Sequence, residues 1–177
     1  YTNIALIKYW GKENKELIIP MNNSLSLTLD AFYTETMVTF SKDYLADSFY
    51  LDGQQQDEKA TKKVSRFLDL VRQKANCSLF ATVESHNFVP TAAGLASSAS
   101  GLAALAGACN EALTLDLSPS ALSRLARRGS GSACRSIFGG FVEWEKGSDD
   151  ASSQAVPILS DHWEEELAMI FILIDDQ

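Results

Sequence analysis

Cysteine, histidine and proline are scarce in this chain of 177 residues, which holds three Cys, two His and four Pro beside ten Gly. An odd number of widely spaced cysteines (Cys77, Cys109 and Cys134) is typical of a reduced protein, so we expect a cytoplasmic location. Two histidines far apart are too few for a zinc site. The proline and glycine content excludes collagen-like and low-complexity chains. The longest apolar run, residues 167–174, is too short to span a bilayer.

The chain has fewer basic than acidic residues: 15 Lys and Arg stand against 23 Asp and Glu, a formal net charge of −8. Such a chain is a poor match for nucleic acid or an anionic membrane, and we expect neither as a partner. The basic residues are concentrated in the middle, because residues 61–140 carry 9 Lys and Arg against 4 Asp and Glu. This positive middle either holds an anion or forms a solvated helix face.

Hydrophobic residues make up 46% of the chain, and their spacing predicts an α+β unit with one sizeable core. Alternation predicts strands over residues 2–10, 24–29, 32–40, 78–84, 141–145 and 167–174, and Asp52-Gly53 predicts a tight hairpin. Helical spacing predicts helices over residues 57–74, 97–113 and 118–128, with a loop at 86–96 and a break at 129–132. We expect a mixed sheet with the helices packed on one face.

Residues 90–101, Pro-Thr-Ala-Ala-Gly-Leu-Ala-Ser-Ser-Ala-Ser-Gly, join a predicted strand to a predicted helix. Small side chains allow backbone N–H groups to approach a ligand, and the first turn of a helix offers unpaired donors with partial positive charge, which suits phosphate. The segment is not a Walker A loop, because no Gly-Lys-Ser/Thr follows the glycine. The alternative, a helix start whose small residues only allow tight packing, stays open here.

Two further segments concentrate hydrogen-bond donors. Residues 3–12 read Asn-Ile-Ala-Leu-Ile-Lys-Tyr-Trp-Gly-Lys and end a predicted strand with two lysines around a tyrosine and a tryptophan. Residues 127–136 read Arg-Arg-Gly-Ser-Gly-Ser-Ala-Cys-Arg-Ser, in which Arg135 could grip a carboxylate or phosphate through two parallel hydrogen bonds. Arg127 and Arg128 are expected to be exposed charges near the negative pole of a helix.

Together with residues 137–144, Ile-Phe-Gly-Gly-Phe-Val-Glu-Trp, these three segments resemble the diphosphomevalonate decarboxylase family, a branch of the GHMP kinase superfamily. The resemblance runs along the whole chain and keeps the segments in order. The superfamily's phosphate loop usually reads Pro-x-Gly-x-Gly-Leu-Gly-Ser-Ser-Ala. Ala92 and Ala96 replace two of those glycines, a variant associated with the decarboxylase branch.

The resemblance implies an ATP-dependent carboxy-lyase that uses Mg²⁺. Enzymes of this family phosphorylate the tertiary hydroxyl of (R)-5-diphosphomevalonate and then expel carbon dioxide and phosphate to give isopentenyl diphosphate, in the mevalonate pathway of isoprenoid biosynthesis. Because a phosphate ester leaves far better than an alcohol, the protein mainly positions anions and compensates charge. Two alternatives remain: a GHMP-family small-molecule kinase and, for this chain alone, a nucleotide-binding domain without turnover.

The same resemblance assigns site residues. Arg135 would bind the substrate carboxylate and be the chief catalytic residue of this chain. The other expected neighbours of the substrate's diphosphate and carboxylate are Tyr9, Trp10, Gly11, Lys12, Ser130, Gly131, Ser132, Ala133 and Cys134. The expected nucleotide contacts are Ser85, Ala92, Ala93, Gly94, Leu95, Ala96, Ser97 and Ser98, of which Ser97 or Ser98 is a candidate magnesium contact.

The resemblance further implies the superfamily's N-terminal ATP-binding architecture over residues 1–177, similar to domain 2 of ribosomal protein S5. Both ends of the chain look cut, and we expect a C-terminal ferredoxin-like domain with the family's catalytic aspartate to be absent. Asp175 and Asp176 are not assigned that role, because acidic residues that end a strand are normally solvated. The full-length protein is expected to be a homodimer.

Overall fold

The structure, a computed structural model, describes residues 1–89 and 97–170. In this part of the chain it contains ten strands, four α-helices and a 3₁₀ helix. In chain order they are β1 (Asn3–Ile7), β2 (Lys12–Asn14), β3 (Ile19–Pro20), β4 (Ser24–Thr28), β5 (Tyr33–Ser41), β6 (Ser48–Leu51), β7 (Gln54–Gln55), α1 (Glu58–Ala75), β8 (Phe80–Phe88), α2 (Ser97–Ala112), α3 (Pro119–Gly129), the 3₁₀ helix (Gly131–Ile137), β9 (Phe141–Trp144), β10 (Ala155–Pro157) and α4 (Trp163–Glu166).

Two four-stranded sheets and a small hairpin organise the strands. The first sheet has the order β1-β4-β9-β10 and is antiparallel throughout. The second sheet, β5-β8-β6-β7, is mixed: β6 runs parallel to β8, whereas the pairs β5–β8 and β6–β7 are antiparallel. Within residues 1–89 and 97–170, strands β2 and β3 pair only with each other. The α+β class predicted from the sequence is therefore confirmed.

Local sequence explains where the long helices begin and end. Asp57 caps α1 by accepting a hydrogen bond from the Ala60 N–H at 2.7 Å, and Asn76 ends the helix in the left-handed region at φ 49°. Ser118 caps α3 in the same way, ahead of a proline at the first helical position. All three long helices lie within one residue of their predicted ends.

Most of the buried apolar side chains in the described part of the chain belong to two clusters. The helix core joins α1, α2 and α3 to β8 through Val64, Phe67, Leu68, Val71, Ala81, Val83, Ala103, Leu105, Ala106, Cys109, Leu125, Ala126 and Ala133. The sheet core lies beside the first sheet and consists of Cys134, Val142, Trp144 and Ala155, against which Tyr9, Ile18 and Phe138 pack. Ala133 and Cys134 are adjacent in the 3₁₀ helix, so this element connects the two cores.

Several elements differ from the sequence prediction. Strand β8 runs on to Phe88, where a loop was predicted, because it pairs with β5 over nine residue pairs. A 3₁₀ helix follows the predicted break after α3. Strands β2, β3 and β10 and helix α4 were not predicted. The strand predicted over residues 167–174 is wrong for residues 167–170, which are not in a strand, and residues 171–174 lie outside the described part.

No helix among the described residues combines the length and the apolar character needed to cross a membrane.

Candidate functional site

Arg135 lies in the 3₁₀ helix with only 2% of its surface exposed. Its guanidinium donates hydrogen bonds to Ser26 Oγ at 2.9 Å, to Ser24 Oγ at 2.5 Å and to Asn3 Oδ1 at 3.4 Å. The two serines lie on β4 and the asparagine on the neighbouring β1, so the first sheet holds the arginine. These bonds use three of the five N–H donors that a guanidinium carries.

The charge of Arg135 has no carboxylate partner within 4.0 Å among the described residues. Burial lowers the pKa of Arg135, but an arginine side chain stays protonated in proteins. Hydrogen bonds to neutral groups compensate the desolvation of a buried cation only in part, because no opposite charge balances it. The two remaining donors match the two oxygens of a carboxylate in number.

The Trp144 ring lies beside the Arg135 guanidinium, and the Tyr9 ring packs against Trp144. The guanidinium carbon lies 5.9 Å from the ring centroid of Trp144, and the Tyr9 ring meets Trp144 edge-on at 4.9 Å. Gly131 leaves the space for this arrangement, because a Cβ there would lie 2.8 Å from a Trp144 ring carbon and 3.2 Å from the Tyr9 hydroxyl. The 3₁₀ helix, β9 and the residues after β1 therefore meet at one place.

The segment after β1 continues from this place to the surface. Trp10 is 75% exposed, and its backbone N–H donates to Asn22 Oδ1 at 2.9 Å. Gly11 adopts φ +66° beside the Met21 side chain, a conformation that favours glycine. Lys12 is exposed at the start of β2, where it pairs with Pro20. An aromatic side chain and a cation are thus both open to solvent beside half-buried Tyr9.

Residues 130–134 also lie beside the Arg135 site, where a backbone atom makes a contact with β1. The Ser132 carbonyl accepts a hydrogen bond from Asn3 Nδ2 at 3.1 Å. Ser130 and Ser132 are half-buried, whereas Ala133 and Cys134 are completely buried in the two cores. Burial raises the pKa of the Cys134 thiol to about 12, so it is not a nucleophile at neutral pH. Ala133 and Cys134 have no exposed surface, backbone atoms included, so neither offers a ligand a contact in this structure.

The predicted nucleotide residues lie around the start of α2. Residues 92–96 lie outside the described part, Ser97 opens the helix and Ser98 is exposed in its first turn. This turn carries no acidic residue, which fits an anion at the helix N-terminus. Ser85 is buried in β8, and its hydroxyl is hydrogen-bonded to Thr36 Oγ1 at 2.9 Å, so its side chain does not face solvent. Among the described residues, no group of three or more His, Cys, Asp or Glu could hold a metal ion.

The expectation of an exposed Arg127 is wrong. Its side chain is completely buried, because the residues after β9 fold over it and supply carbonyl and carboxylate acceptors. Arg128 is half-buried rather than exposed.

Sequence reasoning did not assign four residues that shape the site: Asn3, Ser24, Ser26 and Trp144. Asn3 bridges β1 to the 3₁₀ helix through Ser132 and through Ser136 Oγ, the latter at 2.7 Å. The alternation of Ser and Leu along β4 was a signal, because two serines on one strand face that is buried need a polar partner.

Comparison with known proteins gives one consistent result. A family model described as the diphosphomevalonate decarboxylase-like N-terminal domain matches residues 1–155. The diphosphomevalonate decarboxylase of Candida albicans is 40% identical over 190 residues, covering 99% of this chain and 52% of that protein. The mevalonate diphosphate decarboxylase from Enterococcus faecalis, solved in a study of mevalonate diphosphate mediated ATP binding, has a TM-score of 0.90 and 70% identity over 92% of this chain and 51% of its own.

A further solved structure, a complex with MVAPP, AMPPCP and magnesium, has the same TM-score of 0.90 and 70% identity, over 92% of this chain and 50% of its own. The chain spans about half the length of the relatives it matches, since the covered shares of those proteins are 52%, 51% and 50%. The relatives and the site geometry therefore point to one family.

Proposed function

The chain belongs to the diphosphomevalonate decarboxylase-like N-terminal domain family, and on that premise we propose that it is the anion-binding half of an ATP-dependent decarboxylase. The full-length protein would convert (R)-5-diphosphomevalonate to isopentenyl diphosphate with release of ADP, phosphate and carbon dioxide. The names of the relatives support this reaction, as does a similar structure in complex with MVAPP, AMPPCP and magnesium.

The observation that carries the proposal is the buried Arg135. Its three hydrogen bonds go to neutral side chains, which fix the plane of the guanidinium without neutralising it. A carboxylate that accepts the two remaining donors would be held in one orientation and would remove the desolvation cost. Decarboxylation needs such an orientation, because the breaking bond must align with the carbon that loses its leaving group.

The diphosphate of the substrate is assigned to the surface beside Tyr9. Exposed Lys12 supplies positive charge there, and Ser130 and Ser132 supply hydroxyl donors. A flexible lysine together with several neutral hydrogen-bond donors suits a diphosphate, because its negative charge is spread over several oxygens.

ATP and Mg²⁺ are assigned to the start of α2. Ser97 and Ser98 would hold the phosphates together with residues 92–96, and one of the two serines would contact the metal. When bound, MgATP supplies the phosphoryl group that turns the tertiary hydroxyl into a leaving group. The residues of this chain orient the carboxylate and the diphosphate. The proton acceptor for the hydroxyl is assigned to the part of the relatives' length that this chain does not span.

Two further expectations belong to the same proposal. All three cysteines are free, which supports a cytoplasmic location. The homodimer of the full-length protein follows from the family resemblance.

The test is turnover of the full-length protein and of its Arg135→Lys variant with MgATP and diphosphomevalonate. We expect the wild type to release carbon dioxide and ADP together. Lysine keeps the charge but loses the planar two-point grip, so kcat should fall about 100-fold. The dissociation constant for ATP should change less than about twofold, because Arg135 does not lie on α2.

Arg124→Lys is the matched control, because Arg124 lies on α3 and hydrogen-bonds Ser120 and Gln154 instead of the site. Its kcat should match that of the wild type. Equal losses of kcat and of ATP affinity in Arg135→Lys would move Arg135 to the nucleotide site. ADP formation with a stable phosphorylated product and no carbon dioxide would make the protein a kinase.

A further inference from the structure

Arg127 connects three separate segments of the chain. It lies on α3, and its Nε donates to the Leu17 carbonyl at 3.0 Å. Its two terminal nitrogens donate to the Ser153 carbonyl and to the carboxylate of Asp150, and one of them also to the Asp150 carbonyl at 3.4 Å. Leu17 belongs to the turn between β2 and β3, whereas Asp150 and Ser153 belong to the connection between β9 and β10.

The turn that Arg127 holds is strained. Ile18, the residue after Leu17, adopts φ 54°, a left-handed conformation that is rare for a β-branched side chain. Such a conformation persists only where surrounding contacts fix it. Three contacts of the described residues do so: the Arg127 bond to the Leu17 carbonyl, the bond from the Leu17 N–H to Asn14 Oδ1 at 2.8 Å, and the packing of Ile18 on the sheet core. The β2–β3 hairpin pairs with no other strand among the described residues.

Arg127 is also connected, through Ser153, to the Trp144 ring beside Arg135. The Ser153 hydroxyl accepts a hydrogen bond from Trp144 Nε1 at 3.1 Å, while the Ser153 carbonyl accepts from Arg127. Trp144 in turn contacts both Tyr9 and the guanidinium of Arg135. One buried side chain therefore bonds to the turn of the hairpin that begins with Lys12 and, through Ser153, to the ring against which Tyr9 lies. The buried Ile19 and Pro20 and the Lys146–Glu13 ion pair also hold this hairpin.

We propose that Arg127 is a positioning residue for the substrate's diphosphate: without touching the ligand, it fixes the hairpin of residues 12–20 and so places Lys12 and Tyr9 for anion binding. This inference rests on the proposed function. It separates two roles within one motif, because Arg135 would bind the substrate whereas Arg127 would bind the structure that surrounds it.

The test compares Arg127→Met, Arg127→Lys and Arg124→Met in the full-length protein. Steady-state kinetics give KM for diphosphomevalonate and for ATP, and calorimetry gives the dissociation constant of inorganic pyrophosphate. Hydrogen exchange by mass spectrometry follows residues 12–20. Arg124→Met is the control, because Arg124 contacts the β9–β10 connection at Ala151 and Gln154 but has no contact with the hairpin.

Arg127→Met should raise KM for diphosphomevalonate and the dissociation constant for pyrophosphate about tenfold, with KM for ATP within about twofold. Exchange at residues 12–20 should become faster. Arg127→Lys, which keeps the charge and can replace only part of the network, should shift the same quantities in the same direction by less, and it decides the matter if Arg127→Met does not fold. Arg124→Met should leave all of them unchanged.

An unchanged KM for diphosphomevalonate in a folded Arg127 variant would overturn the inference. So would equal rises in both KM values, because a purely structural role would produce them, or equal effects of Arg124→Met. If the wild type released no carbon dioxide, the proposed function would fail, whereas pyrophosphate binding and hydrogen exchange would still decide the role of Arg127.

Discussion

At the scale of single residues, two buried arginines of one motif differ in what surrounds their charge. Arg127 donates to a carboxylate and to backbone carbonyls, so its positive charge is compensated within the chain. Among the residues that the structure describes, Arg135 donates only to hydroxyl and amide oxygens. Desolvating an unpaired cation costs several kcal/mol. The fold therefore keeps Arg135 in a state that an incoming anion stabilises, which is the condition for tight and oriented binding.

Gly131 sets the distance between the 3₁₀ helix and Trp144. A Cβ at this position would come within 2.8 Å of one Trp144 ring carbon and 3.1 Å of another, and the completely buried ring has little room to move. We expect Gly131→Ala to lower the free energy of unfolding by about 1–3 kcal/mol through overpacking. It should also weaken pyrophosphate binding, because Tyr9 lies against the same ring. Chemical denaturation and calorimetry measure the two effects.

Gly107→Ala is the control for this substitution. Gly107 lies inside α2, and a Cβ there would meet no atom within 4 Å. Alanine is the better helix former, so the variant should be more stable by about 0.5–1 kcal/mol and should bind pyrophosphate normally. Destabilisation by both substitutions would show that Trp144 is not the cause.

The sequence indicated the arginine of the site but not the groups that hold it. Arg135 stands in a motif of glycines and serines, whereas its partners Ser26 and Asn3 lie 109 and 132 residues away along the chain. No local pattern encodes such a pairing, which depends on how β1 and β4 meet the 3₁₀ helix. Arg127 was misread for the same reason, because the residues that bury it follow β9.

At the scale of elements, one carboxylate joins α1 to the second sheet. Asp47, just before β6, accepts hydrogen bonds from both terminal nitrogens of Arg72 at 3.0 and 2.9 Å and from the Ala81 N–H at 2.9 Å. The side chains of Asp47 and Arg72 are 5% and 11% exposed, so the pair is shielded from water. This bidentate interaction thus ties α1 to the connection between β5 and β6, and the same carboxylate binds the start of β8.

Asp47→Ala should lower the free energy of unfolding by about 3 kcal/mol, because Arg72 would stay buried with Asp69 as its only carboxylate. Asp69→Ala is the control: its side chain is 61% exposed, and the loss should stay below about 1 kcal/mol. Urea denaturation of both variants checks the difference. Equal losses in the free energy of unfolding would mean that burial does not make the Asp47–Arg72 pair stronger than the exposed Asp69–Arg72 pair.

The same carboxylate predicts a response to acid. Burial raises the pKa of Asp47, but the hydrogen bonds from Arg72 and Ala81 lower it by more, so the pKa lies below its ordinary value. A carboxyl group with a lowered pKa stabilises the fold fully above its ordinary pKa near 4, and this stability is lost as the pH falls through the lowered value. Asp47→Ala should therefore lose less stability than the wild type between pH 5 and pH 2, in roughly the range where carboxylates titrate.

Elements encoded locally were predictable, and those that depend on distant pairing were not. The helices carry their own caps and apolar spacing, and the turn at Asp52-Gly53 has positive φ at both residues, as the pair predicts. Strand β10 has three residues and exists because β9 pairs with it. The end of β8 is set by the length of β5.

At the scale of the whole molecule, the 3₁₀ helix joins the two cores, and the candidate substrate residues lie on the side of the first sheet. The chain has about half the length of its relatives. We expect this chain alone to bind MgATP and pyrophosphate but to release no carbon dioxide from diphosphomevalonate. The proposal assigns the general base to the part of the relatives that this chain does not span; the lack of such a base costs about 10²-fold to 10⁴-fold, and the lack of active-site closure adds to it.

Calorimetry on the chain and radiolabelled substrate followed to carbon dioxide and ADP check this expectation. Ser98→Pro is the matched variant: it removes one N–H donor from the first turn of α2, where proline is tolerated, and should abolish ATP binding without affecting pyrophosphate. Substantial release of both products by the chain alone would show that no second half is needed.

Each of the two cores contains one thiol, Cys109 in the helix core and Cys134 in the sheet core, and both are completely inaccessible. Burial raises the pKa of both thiols to about 12, and only the thiolate reacts with alkylating reagents. Neither cysteine can therefore be labelled while its core is closed. A timed pulse of alkylating reagent, read by mass spectrometry, measures how often each core opens. Equal labelling rates of the two cysteines would mean that the helix core and the sheet core unfold as one cooperative unit, and different rates that they unfold as two.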